Sequence, residues 1–494
     1  MKKLDRRNFI KTSVLGTAGL GLVPTLGAEG KPKAAAQATA TTRVVGANGD
    51  IRFAVVGFHG RGADHLGGMR GVKGTRLVAL CDVDSHVLDA EVKKCDSHGE
   101  KVEGYRDVRK LLENKDIDVV TFATPNHWHS LGAIWAVQAG KDVYVEKPVS
   151  HNVWEGRQVV MAARKHGKIV QAGTQSRTNP GLREAIAWLH EGHIGKIIRA
   201  RGLCYKRRPS IEKVAGPQPI PPFIDYDLWC GPAPKEPLMR KRLHYDWHWV
   251  WPTGNGDLGN QGIHQMDIAR WVLGETELSP RVWSVGGRLG YVDDGTTPNT
   301  LVAFHDYPVA PLIFEVRGLP ASEGSGKMDS YRGASIGVIV DCEGGSMVIP
   351  SYSRAMVYDK DGKEIKTFEG GASHYENFIK AVRSRKHTDL NADILEGHLS
   401  SALCHTANIS YRLSKTHSPE EIREAVKADK DLAESVGRME EHLAANKVDL
   451  HKSPATLGAA LKMDGKSERF IGNSKADQLL TREYRKPFVV PAIV

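Results

Sequence analysis

Between Ile51 and Gln175 the sequence alternates apolar runs of strand length with amphipathic runs of helix length. The apolar runs are continuous, which is typical of strands that are buried on both faces of a parallel sheet. Helical stretches of about 10–15 residues separate them, as crossovers between parallel strands require. The pattern therefore predicts an α/β fold in which residues 46–175 form a doubly wound parallel sheet.

The pattern changes after Gln175. A helical stretch and a proline-rich segment are followed, from about residue 281, by strand-like runs with no helices between them. Such runs favour an antiparallel sheet that packs one face on helices. We therefore predict a second α/β domain over residues 176–416, built on a large, mostly antiparallel open sheet. Residues 417–494 form a charged, partly helical extension to which the sequence assigns no role.

The first apolar run leads into the glycine-rich loop GFHGRG, residues 57–62. A strand, such a loop and a helix are the setting in which a dinucleotide pyrophosphate binds at a helix N-terminus, as in a Rossmann domain. The match is imperfect because a histidine stands where the second glycine is usual, and many ordinary turns are rich in glycine. The predicted cofactor-binding residues of the loop are Gly57, His59, Gly60, Arg61 and Gly62.

Asp82 strengthens the cofactor hypothesis. It ends the second strand, 25 residues after Gly57, where a carboxylate accepts hydrogen bonds from the adenosine ribose hydroxyls. No arginine follows directly to pair with a 2′-phosphate, so the pattern favours NAD over NADP. The simpler alternative is that Asp82 only caps the following helix.

Two further strands end in polar motifs, TPNHWH at residues 124–129 and EKP at residues 146–148. Both are expected at the carboxyl edge of the sheet, where open α/β sheets bind ligands. Lys147 can there hydrogen-bond a substrate hydroxyl and stabilise a developing alkoxide, while Pro148 fixes the turn, with a cis bond as one form it can take. The alternative is a surface ion pair between Lys147 and Glu146. These motifs and the next strand end supply the predicted cofactor contacts Thr124, Pro125, Asn126, His129, Glu146, Lys147 and Gln175.

Five stretches together resemble the Gfo/Idh/MocA family, which includes glucose–fructose oxidoreductase and inositol dehydrogenase. They are AVVGFHGRG, CDVD, TPNHWHS, VYVEKPVS and GDLGNQGIHQMDIARWVLG, and the resemblance covers about residues 51–415. It implies an N-terminal Rossmann domain, a C-terminal α/β domain whose large open sheet is often used for oligomerisation, and oxidation or reduction of a sugar or polyol carbon. We therefore expect a homo-oligomer, a dimer or tetramer, with a small carbohydrate as its substrate.

The family's catalytic motif, Asp-x-Gly-x-His-x-x-Asp, corresponds here to NQGIHQMD, residues 260–267. The resemblance makes His264 the residue that takes or gives the hydroxyl proton, a role suited to its pKa; a packed core histidine is the alternative. Asn260 stands in place of the family's aspartate, and an amide can orient a hydroxyl but cannot act as a base. The predicted catalytic residues are Lys147, His264 and Asn260.

Two clusters combine cations with aromatic rings, CYKRRPSI at residues 204–211 and RLHYDWHWVWP at residues 242–252. Such side chains suit sugar rings, although either cluster fits a loop anchor or an interface as well. The predicted substrate-binding residues are Tyr205, Arg207, Arg208, Trp249, Lys147, Asn260 and His264. The pairs His127/His129 and His244/His248 have spacings that a metal could use, but no cysteine or carboxylate stands at a fixed offset, so no metal site is predicted.

The N-terminus accounts for half of the net charge of +10, because the first 40 residues carry seven basic and two acidic side chains. The remaining excess is spread without a basic stripe, which disfavours nucleic-acid binding. Arg6 and Arg7 precede an apolar run that is too short for a membrane span, a pattern that indicates a twin-arginine export leader rather than an ordinary amphipathic helix. Residues 1–45 are therefore predicted to be leader and linker of a periplasmic or otherwise exported protein without a membrane anchor.

Export and a nicotinamide cofactor conflict, because a periplasm holds no soluble NAD pool. Tightly bound NAD, loaded before export and recycled within each cycle, reconciles them. The sequence then predicts an NAD-dependent oxidoreductase that acts on a sugar, polyol or glycoside. The alternatives are a redox-neutral glycoside hydrolase or epimerase that works through a keto sugar, and a non-catalytic carbohydrate-binding protein. An inert protein is expected to lack Lys147 or His264, and both are present.

Overall fold

A computed structural model describes residues 49–494 of the protein. The predicted leader and linker, residues 1–45 with Arg6 and Arg7, lie outside the described residues. Export therefore stays a prediction.

The N-terminal domain is built on a six-stranded sheet. Its strands are β1 (Ile51–Val56), β2 (Thr75–Cys81), β3 (Glu103–Tyr105), β4 (Val119–Phe122), β5 (Asp142–Val145) and β6 (Val170–Ala172). Their order is β3-β2-β1-β4-β5-β6, and all neighbouring pairs are parallel. This confirms the predicted Rossmann-type sheet. The strand order reverses between β1 and β4, and the carboxyl ends of the strands at such a reversal flank a ligand-binding crevice.

Helices cover both faces of this sheet. They are α1 (Arg61–Arg70), α2 (Ser85–Ser97), α3 (Val108–Glu113), α4 (Asn126–Gln138) and α5 (Val153–Lys165). One core contains the buried faces of α3, α4 and α5, and a second core on the other face contains those of α1 and α2. Side chains define where α2 and α5 begin, because Asp84 and Asn152 accept hydrogen bonds from main-chain N–H groups of the first turn.

The second sheet has twelve strands. They are β7 (Ile197–Tyr205), β8 (Arg281–Gly287), β9 (Thr300–His305), β10 (Leu312–Arg317), β11 (Ile336–Cys342), β12 (Gly345–Ile349), β13 (Arg354–Asp359), β14 (Glu364–Glu369), β15 (Lys415–Thr416), β16 (Thr456–Leu457), β17 (Leu461–Asp464) and β18 (Arg469–Phe470). Their order is β14-β13-β12-β11-β7-β10-β9-β8-β16-β15, with β17 beside β8 and β18 beside β17. Only β7 and β10 pair in parallel. This confirms the predicted large, mostly antiparallel sheet.

Helices pack on one face of the second sheet and form the largest core with it. The remaining helices of the described chain are α6 (Pro180–His190), α7 (Tyr226–Cys230), α8 (Gly256–Asn260), α9 (Gly262–Leu273), α10 (His374–Ser384), α11 (Ile394–Arg412), α12 (Pro419–Val426), α13 (Lys430–Ala445) and α14 (Ser474–Gln478). The helices that share this core with the sheet include α6, α9 and α11. Side chains alternate along β7, so Ala200 and Cys204 lie in this core, whereas Arg201 and Tyr205 face the other side.

α10 lies in the range predicted for the second domain but packs on the first. Its residues Phe378, Ile379 and Val382 share a core with Ile51 and Leu77 of the Rossmann sheet. The chain therefore returns to the first domain after it has built most of the second sheet.

Residues 417–494 cover surfaces of both domains. α12 and α13 pack on the face of the second sheet opposite α9, where Leu432 shares a core with Val302 and Ile313. Two strands of the extension, β16 and β17, pair with β8 and widen the sheet. Near the C-terminus, Phe488 packs edge-on against Trp128 of α4. The extension is therefore part of the folded body of the protein.

Candidate active site

A cleft of about 410 Å³ opens at the carboxyl ends of β1, β2, β4 and β5. The Rossmann domain forms one wall, and the segment between β7 and α8 forms the other. Predicted residues that line the cleft are Gly57, His59, Gly60, Arg61, Asp82, Thr124, Pro125, Asn126, His129, Glu146, Lys147 and Asn260. The structure thus brings the motifs of four strand ends together with Asn260 of the second domain.

The glycine loop has the shape that close approach of a ligand needs. Gly57 and Gly60 have φ values of 73° and 76°, which favour glycine. A Cβ on Gly62 would lie 2.0 Å from the main-chain oxygen of Gly57, so only glycine lets α1 begin this close to the loop. A Cβ on Gly60 would meet no atom of the described residues within 4 Å. Gly62 therefore allows the tight turn although it does not line the cleft. Gly60 lines the cleft and leaves open space next to the main chain.

Asp82 is held at the end of β2 by two main-chain donors. One carboxylate oxygen accepts a hydrogen bond from the N–H of Phe58 at 3.3 Å, and the other accepts one from the N–H of Asp84 at 3.0 Å. Asp84 and not Asp82 caps α2, so the helix-cap alternative for Asp82 is wrong. Burial raises the pKa of Asp82. Arg106, which the sequence reasoning missed, lines the same cleft.

Glu146 is a buried, fixed anion. Nε of Arg61 donates to its carboxylate at 2.9 Å, and Nε2 of His65 lies 3.1 Å from the same oxygen. Burial alone would raise the pKa of Glu146, but the His65 hydrogen bond and the Arg61 charge hold the pKa well below its usual range. The main-chain N–H of Lys147, not its ammonium, donates to Glu146. The acid of the EKP motif therefore anchors α1 to the strand end and leaves the Lys147 ammonium for the cleft.

Lys147 joins the two domains. Its Nζ donates a hydrogen bond to the main-chain oxygen of Asn260 at 3.0 Å, and its peptide bond to Pro148 is cis. Burial lowers the pKa of Lys147, and the charge of Glu146 opposes this effect. The amine therefore loses its proton more readily than a lysine in water.

Asn260 and the residues before it form the second-domain side of the site. Nδ2 of Asn260 donates to Asp257 at 3.3 Å. Asp257 is buried and accepts two hydrogen bonds of 2.8 Å from the guanidinium of Arg208. The carboxylate of this segment is therefore that of Asp257, one helical turn before Asn260, and it is engaged in an ion pair with Arg208.

His264 lies in the first turn of α9 and is buried. Its Nδ1 has no hydrogen-bond partner among the described residues, and its ring centroid lies 5.0 Å from that of Tyr352. Burial, followed by the charge of Lys147, holds the pKa of His264 well below its usual range. The imidazole is therefore neutral at physiological pH and has a free ring nitrogen. It lies outside the cleft lining proper.

The two histidines of TPNHWH hold loops in place. Nε2 of His129 lies 2.8 Å from the main-chain oxygen of Thr124, and Nε2 of His127 lies 2.9 Å from that of Trp229. Within residues 49–494 no group of three or more histidine, cysteine, aspartate or glutamate side chains is placed to hold a metal ion. The same range contains no helix long and apolar enough to span a membrane.

Several predicted substrate residues are not brought into the cleft. Tyr205 points to the far face of β7, where its hydroxyl donates to Glu315 at 2.6 Å. Arg207 is exposed and Trp249 is buried, and neither lines the cleft. The sequence predicts that Tyr205 contacts the substrate, and the structure corrects this prediction. Side chains alternate along β7, and the sequence cluster alone does not show which of them face the cleft.

Arg208 and Gln175 also lie outside the cleft lining. Arg208 acts indirectly, because it pairs with Asp257 and donates at 2.9 Å to the hydroxyl of Tyr245, which lines the cleft. Gln175 begins a short helical turn after β6, and its Oε1 is buried without a partner among the described residues.

Sequence reasoning missed most of the second wall. The missed residues of the cleft include Leu228, Trp229, Tyr245, Trp247 and His248. The last three stand in the cluster RLHYDWHWVWP, so a signal was present, but it did not say which rings face the cleft. Beside His264, Tyr352 from the β12–β13 loop accepts a hydrogen bond from Gln261, and no local pattern marks it.

Comparison with protein families matches two segments of the chain. Residues 51–174 match the Gfo/Idh/MocA model described as an oxidoreductase family with an NAD-binding Rossmann fold. Residues 190–294 match the model of that family's C-terminal alpha/beta domain.

Curated relatives match part of the chain. A glycosyl hydrolase family 109 protein from Shewanella pealeana is 32% identical over 34% of this chain and 38% of its own length. Inositol 2-dehydrogenase from Salmonella typhimurium is 28% identical over 34% of this chain and 50% of its own. Levoglucosan dehydrogenase from Pseudarthrobacter phenanthrenivorans is 28% identical over 46% and 53%. The chain thus spans about a third to a half of the length of these relatives.

Solved structures share the fold. The WlbA dehydrogenase from Bordetella pertussis, in complex with NADH and UDP-GlcNAcA, superposes with a TM-score of 0.53 at 20% identity, over 73% of this chain and 95% of that one. The WlbA dehydrogenase from Chromobacterium violaceum, also with NADH and UDP-GlcNAcA, gives a TM-score of 0.55 at 20% identity, over 74% and 94%. The chain thus has an NAD-binding Rossmann domain followed by a mostly antiparallel α/β domain, and residues 51–174 and 190–294 are similar to the two domains of the Gfo/Idh/MocA oxidoreductase family.

Proposed function

We propose that this protein is an NAD-dependent oxidoreductase that oxidises or reduces a hydroxyl-bearing carbon of a sugar, polyol or glycoside. The observation that carries the proposal is the position of Lys147, whose ammonium lies in the cleft lined by Gly57, Gly60 and Asp82 and contacts Asn260 of the second domain. A cation held where cofactor motifs meet the second domain is placed to stabilise a developing alkoxide.

The residues of the cleft fit NAD. The open space at Gly60 lets a pyrophosphate approach the main chain at the start of α1. The oriented carboxylate of Asp82 would hold the hydroxyls of the adenosine ribose. NAD, when bound, supplies the acceptor or donor of the hydride.

Lys147 and His264 are the groups of this chain that can handle the hydroxyl proton. One N–H of the Lys147 ammonium is bound to Asn260, which leaves two to donate to a substrate oxygen. The neutral imidazole of His264 has an Nδ1 without a hydrogen-bond partner among the described residues. Burial lowers the pKa of His264 and makes this nitrogen a weaker proton acceptor than that of a histidine in water, so more of the proton transfer is expected from Lys147. The side-chain oxygen of Asn260 can orient the hydroxyl as an acceptor.

A second reaction could use the same site, a redox-neutral glycoside hydrolysis or epimerisation through a keto sugar. The relative that is named a glycosyl hydrolase family 109 protein favours it. Oxidation of one carbon acidifies the neighbouring C–H, so a base of the site can remove that proton and allow elimination. In the hydrolysis, water then adds in place of the leaving group; in both reactions the oxidised substrate carbon takes its hydride back before release, so no net oxidation occurs.

The proposal includes export through the twin-arginine pathway with NAD already bound. It is supported by the basic start of the chain with Arg6 and Arg7. A periplasmic or otherwise exported enzyme that retains its cofactor would not depend on a soluble pool.

Purification without added cofactor, followed by denaturation and mass analysis of the released nucleotide, tests the proposal. The native protein is then mixed with sugars, polyols and glycosides while NADH absorbance and glycoside cleavage are followed. If the protein releases stoichiometric NAD and a sugar or polyol reduces the bound NAD, the result supports the oxidoreductase. If the protein retains NAD and cleaves a glycoside without net formation of NADH, the result supports the redox-neutral reaction. A nucleotide-free protein that binds sugars and converts none would contradict both and identify a carbohydrate-binding protein.

A further inference from the structure

Two lysines from different domains donate hydrogen bonds to two residues that are adjacent in the sequence, Asn260 and Gln261. Nζ of Lys147 donates to the main-chain oxygen of Asn260 at 3.0 Å, and Nζ of Lys206 donates to Oε1 of Gln261 at 3.0 Å. Lys147 follows β5 of the Rossmann domain, whereas Lys206 follows β7 of the second sheet. The junction of α8 and α9 therefore accepts hydrogen bonds from two ammonium groups, that of Lys147, which lines the cleft, and that of Lys206, which lies outside the cleft lining.

The fixed charges around this junction do not cancel. The carboxylates that act on Lys147 are Glu146 and Asp257, and each is already paired with an arginine, Glu146 with Arg61 and Asp257 with Arg208. Within residues 49–494 neither lysine has a carboxylate partner, since their ammonium groups bind a main-chain oxygen and an amide oxygen. The two lysines are thus a surplus of positive charge.

Lys206 lies within electrostatic reach of the reacting groups. Burial is the main cause that lowers the pKa values of Lys147 and His264, and the charge of Lys206 contributes to both. Unpaired charge in a partly buried site is costly. An anion bound there would offset that cost, whereas a neutral ligand would not.

We propose that the substrate is an acidic sugar that carries a carboxylate, and that Lys206 binds this carboxylate. The inference rests on the proposed function and names its substrate class. One N–H of the Lys206 ammonium holds Gln261, and two remain for the carboxylate oxygens. The contact joins a substrate group to the residue next to Asn260, so it would also fix which carbon faces Lys147.

The test compares matched acidic and neutral sugars on the full-length, NAD-containing protein. The pairs are glucuronate with glucose and galacturonate with galactose, and the readouts are Kd by calorimetry and KM from NADH formation. We expect the wild type to prefer each acid by about tenfold to hundredfold, the value of a hydrogen bond to a charged group. Lys206→Met should bring the ratio close to one, and Lys206→Arg should restore much of it.

The matched control is Lys213→Met, which removes an exposed lysine of the same segment. It should keep the wild-type preference, and the NAD content should be unchanged in all three variants.

Other outcomes separate failure of this inference from failure of the proposed function. Equal binding and oxidation of acidic and neutral sugars by the wild type would overturn the acidic-sugar assignment and leave the oxidoreductase intact. An equal loss of both classes in Lys206→Met and Lys206→Arg would overturn the role of Lys206, because it would indicate a structural contact. A preference for sulfated over carboxylated sugars would overturn the assignment of a carboxylate as the anionic group of the substrate. Retained NAD without binding or oxidation of any tested sugar would remove the proposed function and this inference together.

Discussion

The ammonium of Lys147 donates a hydrogen bond to the main-chain oxygen of Asn260 at 3.0 Å. This contact links the end of β5 in the Rossmann domain to the end of α8 in the second domain. The buried carboxylate of Glu146 is occupied by Arg61 and His65, so the lysine is directed into the cleft. Its position therefore depends on both domains.

Replacement of this lysine tests whether it acts on the reacting atoms. Lys147→Met should lower kcat by about a hundredfold to ten-thousandfold, because it removes the cation and proton donor of the site. The variant should still release NAD on denaturation, since Gly60 and Asp82 are unchanged. Steady-state kinetics on a substrate found by the sugar screen, with nucleotide analysis of the same preparation, gives both values. Turnover equal to the wild type would show that Lys147 is remote from the chemistry.

Asp82 should set the preference for NAD over NADP. Asp82→Ser removes the carboxylate that would accept hydrogen bonds from the ribose hydroxyls and would repel a 2′-phosphate, and Arg106 lines the same cleft. NAD affinity should fall about tenfold to hundredfold, and the NADP-to-NAD affinity ratio should rise. Fluorescence titration of nucleotide-stripped protein with each cofactor measures the ratio. Asp84→Asn is the control, because it changes a neighbouring acid that caps α2 outside the cleft lining; an equal shift in both variants would refute the assignment.

The Rossmann side of the site could be predicted from the sequence because each residue stands at a strand end. Gly57, Asp82 and Lys147 follow apolar runs that must end at one edge of a parallel sheet, so their proximity follows from topology. Local spacing was enough to place them, and the cleft contains all three.

The second-domain side could not be predicted in the same way. Tyr205 and Lys206 are adjacent in the sequence, yet Tyr205 faces Glu315 and Lys206 faces Gln261. Which of two neighbours faces a site depends on the register of β7 against β10 and β11, and a cluster of cations and aromatics does not contain that information. Tyr352 comes from a loop between two later strands, so only the tertiary fold places it beside His264.

α13 should stabilise the protein by covering the second sheet. Leu432 is fully buried against Val302 and Ile313, so Leu432→Ala should lower the free energy of unfolding by about 2–5 kcal/mol. Glu441→Ala changes an exposed residue of the same helix and should cost less than about 0.5 kcal/mol. Urea denaturation of both variants provides the comparison; similar values would mean that α13 does not cover the sheet in solution.

Buried neutral histidines should make the fold sensitive to acid, and His305 gives the clearest test. It is fully buried in β9, neither ring nitrogen has a hydrogen-bond partner among the described residues, and burial lowers its pKa to about 3. The unfolded chain binds a proton at His305 below about pH 6.5, whereas the folded protein does not until about pH 3. Stability is therefore lost as the pH falls from 6.5, by about 1.4 kcal/mol per pH unit for this histidine. His127 and His405, whose pKa values burial also lowers to about 3, act in the same direction.

His305→Phe removes one of these contributions and keeps an aromatic ring in the core. Relative to the wild type, the free energy of unfolding of the variant should rise by about 1.4 kcal/mol for each pH unit below 6.5, whatever constant offset the substitution produces at neutral pH. Urea denaturation at several pH values between about 7.5 and 5 gives the two slopes. His166→Phe changes an exposed histidine at the end of α5 and should keep the wild-type slope. Parallel slopes for the wild type and His305→Phe would mean that His305 is already protonated, or open to water, in the folded protein.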